Sequence, residues 1–240
     1  MRIASKVQAP STPAPSESSS VLDALRRSLE GAGVPWRETR IDSATGSDVA
    51  GAALRRHGIM LALLGPDGAG KSTVAAQIAE SFPLPVRRLY MGLWQRPEQF
   101  ARPEWLPGWS LLRRLLMAWR AYLRGRYYRA RGYLVIFDRY CYDALVPAVE
   151  KRTPRARLYA WILGHCCPAP DLTVLLDAPG EVMHERKHES NPIALEAQRQ
   201  GFLSLRQRLP RLHVVDATCA QDTLRDEMIA LIWSSYFGDR

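Results

Sequence analysis

The chain has 240 residues, 47% apolar and 24% charged, with a net charge of +9. These proportions exclude a collagen-like, coiled-coil or largely disordered chain, and the length suits one α/β domain with a sizeable core and a short extension. The positive charge is local: residues 87–131 hold eleven arginines against two acids, Glu98 and Glu104, so this segment accounts for the whole excess and would concentrate anions such as phosphates, acidic lipid headgroups or nucleic acid.

Residues 1–20, rich in Ser and Pro, lack a packing pattern and read as a disordered tail. Residues 21–57 read as a helical N-terminal extension, with Val21, Leu22, Leu25 and Leu29 at helical spacing before Gly31. From Gly58 onward strands alternate with helices. The predicted strands are 59–64, 86–91, 133–138, 172–177 and 212–216. The predicted helices are 71–81, 109–131, 155–165, 181–188, 193–208 and 221–233. This alternation implies an α/β fold with a five-stranded parallel sheet between two helical layers, over residues 58–240. In the helix 109–131, Leu112, Leu115, Leu116, Trp119, Tyr122 and Leu123 form one stripe and Arg113, Arg120 and Arg124 another. Core aromatics beneath a charged outer face are the plain reading, and a membrane-surface contact is the alternative. Nucleic acid is disfavoured, because no recognition motif accompanies the patch.

The four cysteines, Cys141, Cys166, Cys167 and Cys219, form no C-x-x-C pair. They read as buried or idle thiols in a reducing cytosol, suggesting neither a zinc site nor a disulfide framework. The longest clean apolar run, 59–64, is far short of a bilayer span, and no apolar region before a cleavage site follows Arg2 and Lys6. The expectation is a cytoplasmic protein.

Residues Gly65-Pro66-Asp67-Gly68-Ala69-Gly70-Lys71-Ser72 match G-x-x-x-x-G-K-[ST] in full, between a predicted strand and a predicted helix. Glycines 65, 68 and 70 let the chain curl so that successive N–H groups point inward, and the helix N-terminus adds its positive dipole end. Gly65, Asp67, Gly68, Ala69, Gly70, Lys71, Ser72 and Thr73 are the candidate nucleotide-binding residues. Lys71 would reach the β- and γ-phosphates, and Ser72 would hold Mg²⁺. The fold class expected is therefore the three-layer P-loop NTPase architecture. Asp138, at the carboxyl end of its strand, stands where ligands bind in open α/β sheets and is the second candidate for the Mg²⁺ site. Asp177 has the same placement with weaker support. Arg206 and Arg208 read as surface charges.

GPDGAGKST, then FDRY about 65 residues on, then PDLTVLLDAP resembles the thymidylate kinase family over roughly residues 58–235. The resemblance is greatest to thymidylate kinase-like proteins found with surface-polysaccharide genes, in which a stretch like RKHESNPIALEAQRQGFLSLRQRLP also recurs. The resemblance implies an ATP- and Mg²⁺-dependent transfer of the γ-phosphoryl group to a nucleoside monophosphate, dTMP-like, or a related small acceptor. It implies that Asp67 lies near the acceptor hydroxyl, that Arg139 clamps the acceptor phosphate, and that Tyr140 packs beside the acceptor. Because Gly68 stands where some members carry an arginine, it implies that the lid, His184 to His188, supplies the transition-state cation through Arg186 or Lys187. Lys71, Asp138, Arg139, Arg186 and Lys187 are thus the candidate catalytic residues. A homodimer is implied by the same likeness.

The sequence departs from that pattern on the acceptor side. The region after the second strand reads MGLWQRPEQF, and the stretch after the FDRY motif reads CYDALVPAVEK. The donor half is intact and the acceptor half is rebuilt, so a sugar or lipid-linked sugar joins the candidate acceptors. The competing reading is a nucleotide-binding, catalytically altered module acting at a membrane surface or in polysaccharide biosynthesis.

Overall fold

The structure, a computed structural model, describes residues 58–93, 109–146, 153–188, 191–209 and 211–238, together with Arg27, which is helical. The predicted tail 1–20, the rest of the extension 21–57, and the Arg96-Pro97 segment lie outside the described residues. In chain order the elements are β1 (Ile59–Leu64), α1 (Lys71–Ser81), β2 (Val86–Tyr90), α2 (Trp109–Ala130), β3 (Leu134–Asp138), a 3₁₀ turn (Cys141–Leu145), α3 (Pro154–Gly164), β4 (Leu172–Asp177), α4 (Gly180–Lys187), α5 (Pro192–Leu203), a second 3₁₀ turn (Ser204–Gln207), β5 (Leu212–Asp216) and α6 (Gln221–Gly238).

The five strands form one parallel sheet in the order β2-β3-β1-β4-β5. Burial explains their composition. All six residues of β1 are buried, as are all but the last of β3 and β4, and a strand covered on both faces reads as a continuous apolar run. The edge strand β2 tolerates Arg87 and Arg88 because both are exposed there, and charge on an edge discourages further strand pairing.

Alternate residues of β1 face two separate cores. Ile59, Leu61 and Leu63 pack with Val74 and Ile78 of α1 and with Met228, Ile232 and Trp233 of α6. Met60, Ala62 and Leu64 pack with Ala118 and Tyr122 of α2, Leu163 of α3, and Phe202 of α5. Helices therefore cover both faces, in the three-layer arrangement expected from the sequence. Thr153 and Asn191 cap α3 and α5, their side-chain oxygens accepting from Ala156 N and Ile193 N at 3.3 and 2.9 Å, each ahead of a proline at the first turn. At the amino ends of the strands, Asp171 accepts from Met60 N (2.8 Å) and from Arg129 Nη2 (2.7 Å), tying α2 to β1 and β4.

Two expectations need correction here. The stripe on α2 does not face the core as a whole: Leu115 and Tyr122 do, but Leu112, Leu116, Trp119 and Leu123 are exposed, Leu116 to 60%. The inward face is instead Leu111, Leu115, Ala118, Tyr122 and Gly125, one step around the helix. Tyr140 does not line an acceptor site. It is fully buried in the α2-side core, and its hydroxyl donates to Pro168 O.

Backbones also approach closely at Gly58, just ahead of β1, whose N–H donates to Arg129 O at 3.0 Å. A Cβ there would lie 2.3 Å from Tyr133 O and 2.6 Å from Arg129 O, both main-chain atoms that cannot step aside. Gly58→Ala is expected to lower stability by about 1–3 kcal/mol, read as a fall in the urea midpoint at unchanged m-value.

Candidate functional site

The strand order brings the functional residues together. β1 and β3 are neighbours in register, Leu63 opposite Asp138, so the loop after β1 and the residues after β3 emerge side by side at the carboxyl edge of the sheet. In the loop, Gly65, Gly68 and Gly70 have φ of 140°, 90° and 93°, a region that side chains disfavour. Two of them also have no room: a Cβ on Gly65 would lie 2.9 Å from Leu176 O, and one on Gly68 2.7 Å from Met183 O. The helix α1 opens at Gly70 without a side-chain cap, so its first N–H groups remain available to an anion.

Lys71 is buried, and its Nζ donates to Gly65 O and Pro66 O at 2.7 Å each, with Asp67 Oδ1 at 3.9 Å. Burial, with Arg139 nearby, lowers its pKa against the opposing pull of Asp67, Asp143 and Asp138. Its charge is thus under-compensated by the protein. Ser72 Oγ donates to Asp138 Oδ2 at 2.9 Å, which places two hard oxygen donors together.

Arg139 is held in the left-handed region at φ 70°, its N–H donating to Leu63 O at 3.2 Å. That backbone is costly for an arginine. Its guanidinium spans two carboxylates, Nη2 donating to Asp67 Oδ1 and Nη1 to Asp143 Oδ2 at 3.2 Å. Burial opposes the charge on Arg139, yet Asp143 and Asp67 together raise its pKa. Asp67 is lowered: burial works to raise it, and Arg139 and Lys71 outweigh that.

Asp143 escaped the sequence reading. It sits in the 3₁₀ turn after β3 and is buried; burial pushes its pKa up to about 6 despite Arg139. Its Oδ1 finds no hydrogen-bond partner among the described residues. The available signal was an acid four residues after Arg139. Tyr90, at the end of β2, was read only as a strand residue; it lies beside the same carboxylates, and burial raises its pKa.

Apart from Asp143, which lies behind Arg139, these groups line one cleft of about 780 Å³, formed by residues 67–74, Tyr90, Asp138 and Arg139 together with Arg186, Lys187, Ala217, Cys219 and Gln221. Arg186 Nη2 donates to Ala217 O at 2.9 Å, and its Nη1 lies 4.0 Å from where a Cβ on Gly70 would stand, directly over the loop. An Asx-type turn, Thr218 N and Oγ1 donating to Asp216 Oδ1 at 2.8 and 2.7 Å, fixes the loop carrying Ala217. All the candidate catalytic residues, and every candidate nucleotide-binding residue except Gly65, therefore line one cleft.

Asp177 is otherwise engaged. Its two oxygens accept from Arg199 Nε and Nη2, and Arg199 also reaches Glu196, whose other oxygen accepts from Gly180 N at 3.1 Å. This bidentate pair fastens α5 to β4 and the start of α4, which is a structural role. Arg206 and Arg208 are exposed, as read from the sequence.

No family model and no curated protein matches the chain. Among solved structures, it is similar to thymidylate kinase from Candida albicans at 20% identity and a TM-score of 0.58, over 75% of this chain and 93% of that one. The chain has a thymidylate kinase-like fold, with a five-stranded parallel sheet and flanking helices.

Asp143 gives the site a pH signature. The folded chain holds its proton up to about pH 6, the unfolded chain only to its ordinary value of 3.8. Its protonation thus contributes stability that is complete below the unfolded value and lost as pH rises through the folded one. Asp143→Asn lacks this dependence. The stability of wild type relative to the variant should fall by about 2–3 kcal/mol between about pH 4 and pH 7, measured by denaturant unfolding. A difference that grows with pH would mean that Arg139 keeps Asp143 ionised in the ordinary range.

Proposed function

We propose that residues 58–240 form an ATP- and Mg²⁺-dependent phosphotransferase that passes the γ-phosphoryl group to a small acceptor carrying a phosphate or hydroxyl group, in the cytoplasm where ATP and reduced thiols are found. The observation that carries this reading is the cluster of buried or clamped cations, Lys71, Arg139 and Arg186, around a glycine loop and a Ser–Asp oxygen pair in one cleft. The lowered pKa of Lys71 supports an anionic ligand, since phosphate would supply the missing counter-charge.

In this reading the loop N–H groups and Lys71 bind the donor phosphates, and Arg186 and Lys187 stand over the loop to neutralise charge developing on the transferred group. Ser72 and Asp138 would hold Mg²⁺, which when bound neutralises donor phosphate oxygens. Arg139 presents a planar fork to the acceptor, aimed by Asp67 and Asp143. The acceptor class is read from this fork and from the rebuilt stretch after β3: an anionic small molecule, with dTMP, other nucleoside monophosphates and phosphosugars as the panel. The Candida albicans relative is described as broad in substrate specificity.

Product formation from ATP across that panel tests the reading. Lys71→Ala should lower turnover by at least about 100-fold with the fold intact by circular dichroism. ATP binding without any phosphorylated product would favour the catalytically altered module.

One surface bears on where the protein works. Along α2, Trp109, Leu112, Leu116, Trp119, Leu123 and Tyr127 are exposed at three- or four-residue spacing. The helix carries six arginines and no acid. We propose that this face meets an anionic membrane surface. A second copy in a two-fold contact would set arginines against arginines, whereas acidic headgroups accept both the cations and the tryptophans. Among the described residues no helix is long and apolar enough to cross a membrane, so the contact would be peripheral. The chain should sediment with phosphatidylserine-containing vesicles and not with phosphatidylcholine alone, and Leu116→Ser with Trp119→Ser should abolish this. A dimer in sedimentation equilibrium that the same pair of changes dissociates, without vesicle binding, would overturn it in favour of a homodimer.

A further inference from the structure

Cys141, Cys166 and Cys167 carry no spacing signal in the sequence, yet the fold brings them together. Their Sγ atoms all lie within 4.8 Å of one another, and Cys166 and Cys167 are 3.8 Å apart. Cys141 opens the 3₁₀ turn after β3, and the other two follow the C-terminus of α3. Cys141 and Cys167 are buried in the α2-side core, while Cys166 is partly exposed and gives the cluster a path to solvent.

We propose that these three sulfurs form a binding site for a thiophilic d¹⁰ cation, Zn²⁺ or Cu⁺. The geometry is near what such an ion needs: Zn–S bonds of ~2.3 Å place the sulfurs of a tetrahedral site about 3.8 Å apart. The longest edge would close by at most about 1 Å, within the reach of cysteine rotamers. Soft thiolates select these ions over hard cations such as Mg²⁺, so the site does not compete with Ser72 and Asp138. His165 lies outside this cluster: among the described residues only the three sulfurs come this close together. The three sulfurs therefore leave Cu⁺ trigonal, or Zn²⁺ with a fourth position on the Cys166 side.

Electrostatics favour a cation at this place. The carbonyl end of α3 converges here, with Gly164 O accepting from Cys141 Sγ at 3.5 Å, and a helix C-terminus stabilises positive charge. A disulfide would use two sulfurs and leave the third without a role.

The test uses the full chain, reduced and desalted without oxygen, titrated with Co²⁺ alone as a spectroscopic stand-in for Zn²⁺ and separately with Cu⁺. Co²⁺ should give thiolate-to-metal charge-transfer absorption that saturates at a single equivalent and is displaced by Zn²⁺; Co²⁺ on the Ser72–Asp138 oxygens gives no such band. Loss of outer-shell partners already costs metal sites about 10–100-fold. Removing a sulfur by Cys166→Ser should therefore weaken binding by more than about 100-fold, while Cys219→Ser leaves it unchanged. Cys166 is the partly exposed member, so its variant keeps the test open where Cys141→Ser fails to fold. A charge-transfer band that survives Cys166→Ser, no band with either metal, or a Cys141–Cys166 or Cys141–Cys167 disulfide found by mass spectrometry in place of metal would each overturn the proposal. Stronger luminescence with Cu⁺ than competition by Zn²⁺ can explain would assign the ion as Cu⁺.

Discussion

The structure turns on one buried ammonium. Lys71 is enclosed by a curled backbone, with two carbonyl oxygens at hydrogen-bond distance and its nearest carboxylate at 3.9 Å. Carbonyl dipoles satisfy its donors without cancelling its charge, and burial accordingly drives its pKa down. The surrounding features follow from holding it there. The positive-φ glycines make the curl, α1 contributes uncapped N–H groups, and Arg139 and Arg186 are secured to a carboxylate and a carbonyl. In the proposed reading, the donor phosphates complete this balance of charge.

Sheet topology converts that local constraint into a two-sided cleft. With β3 and β4 both paired to β1, the loop after β1 lies between the residues that leave β3 and those that lead into α4. The β3 side brings Asp138 and Arg139, and the α4 side brings Met183 against Gly68 and Arg186 over Gly70. Neither pairing depends on local sequence around the loop. Both depend on apolar strands buried on two faces, so the core and the cleft are specified together.

Those strands and the loop were legible in the sequence because each has a local signature: a continuous apolar run, a fixed glycine spacing, a strand-end carboxylate. The features that were misread depend on what lies across from a residue. Periodicity announced an apolar stripe on α2, but that helix carries two overlapping stripes. Only the position of β3 and α3 decides that Ala118, Tyr122 and Gly125 turn inward while Leu116 and Trp119 remain outside. Tyr140 follows Arg139 directly, yet the left-handed backbone at Arg139 sends the next residue into the core. Asp177 matched Asp138 in placement, and its pairing with Arg199, 22 residues on, removes it from the site. The thiol cluster is the extreme case, since 25 residues separate Cys141 from Cys166.

The two halves of the cleft differ in how they are built, and this bears on specificity in the proposed reading. The donor half is anchored to the central strand, where backbone clashes at Gly65 and Gly68 leave little freedom for change. The other half hangs on a five-residue 3₁₀ turn, Cys141–Leu145, with few regular backbone hydrogen bonds of its own. That turn is steadied by side chains: Asp143 to Arg139, Cys141 toward the end of α3, and Leu145 against Gly164, where a Cβ would lie 2.3 Å from it. All five residues of the turn are buried, so substitutions there would re-aim Arg139 only where they keep the packing. In the proposed reading, the departures at residues 141–146 lie in and just after this turn, beside Arg139, and the phosphate loop on the central strand is left as it is.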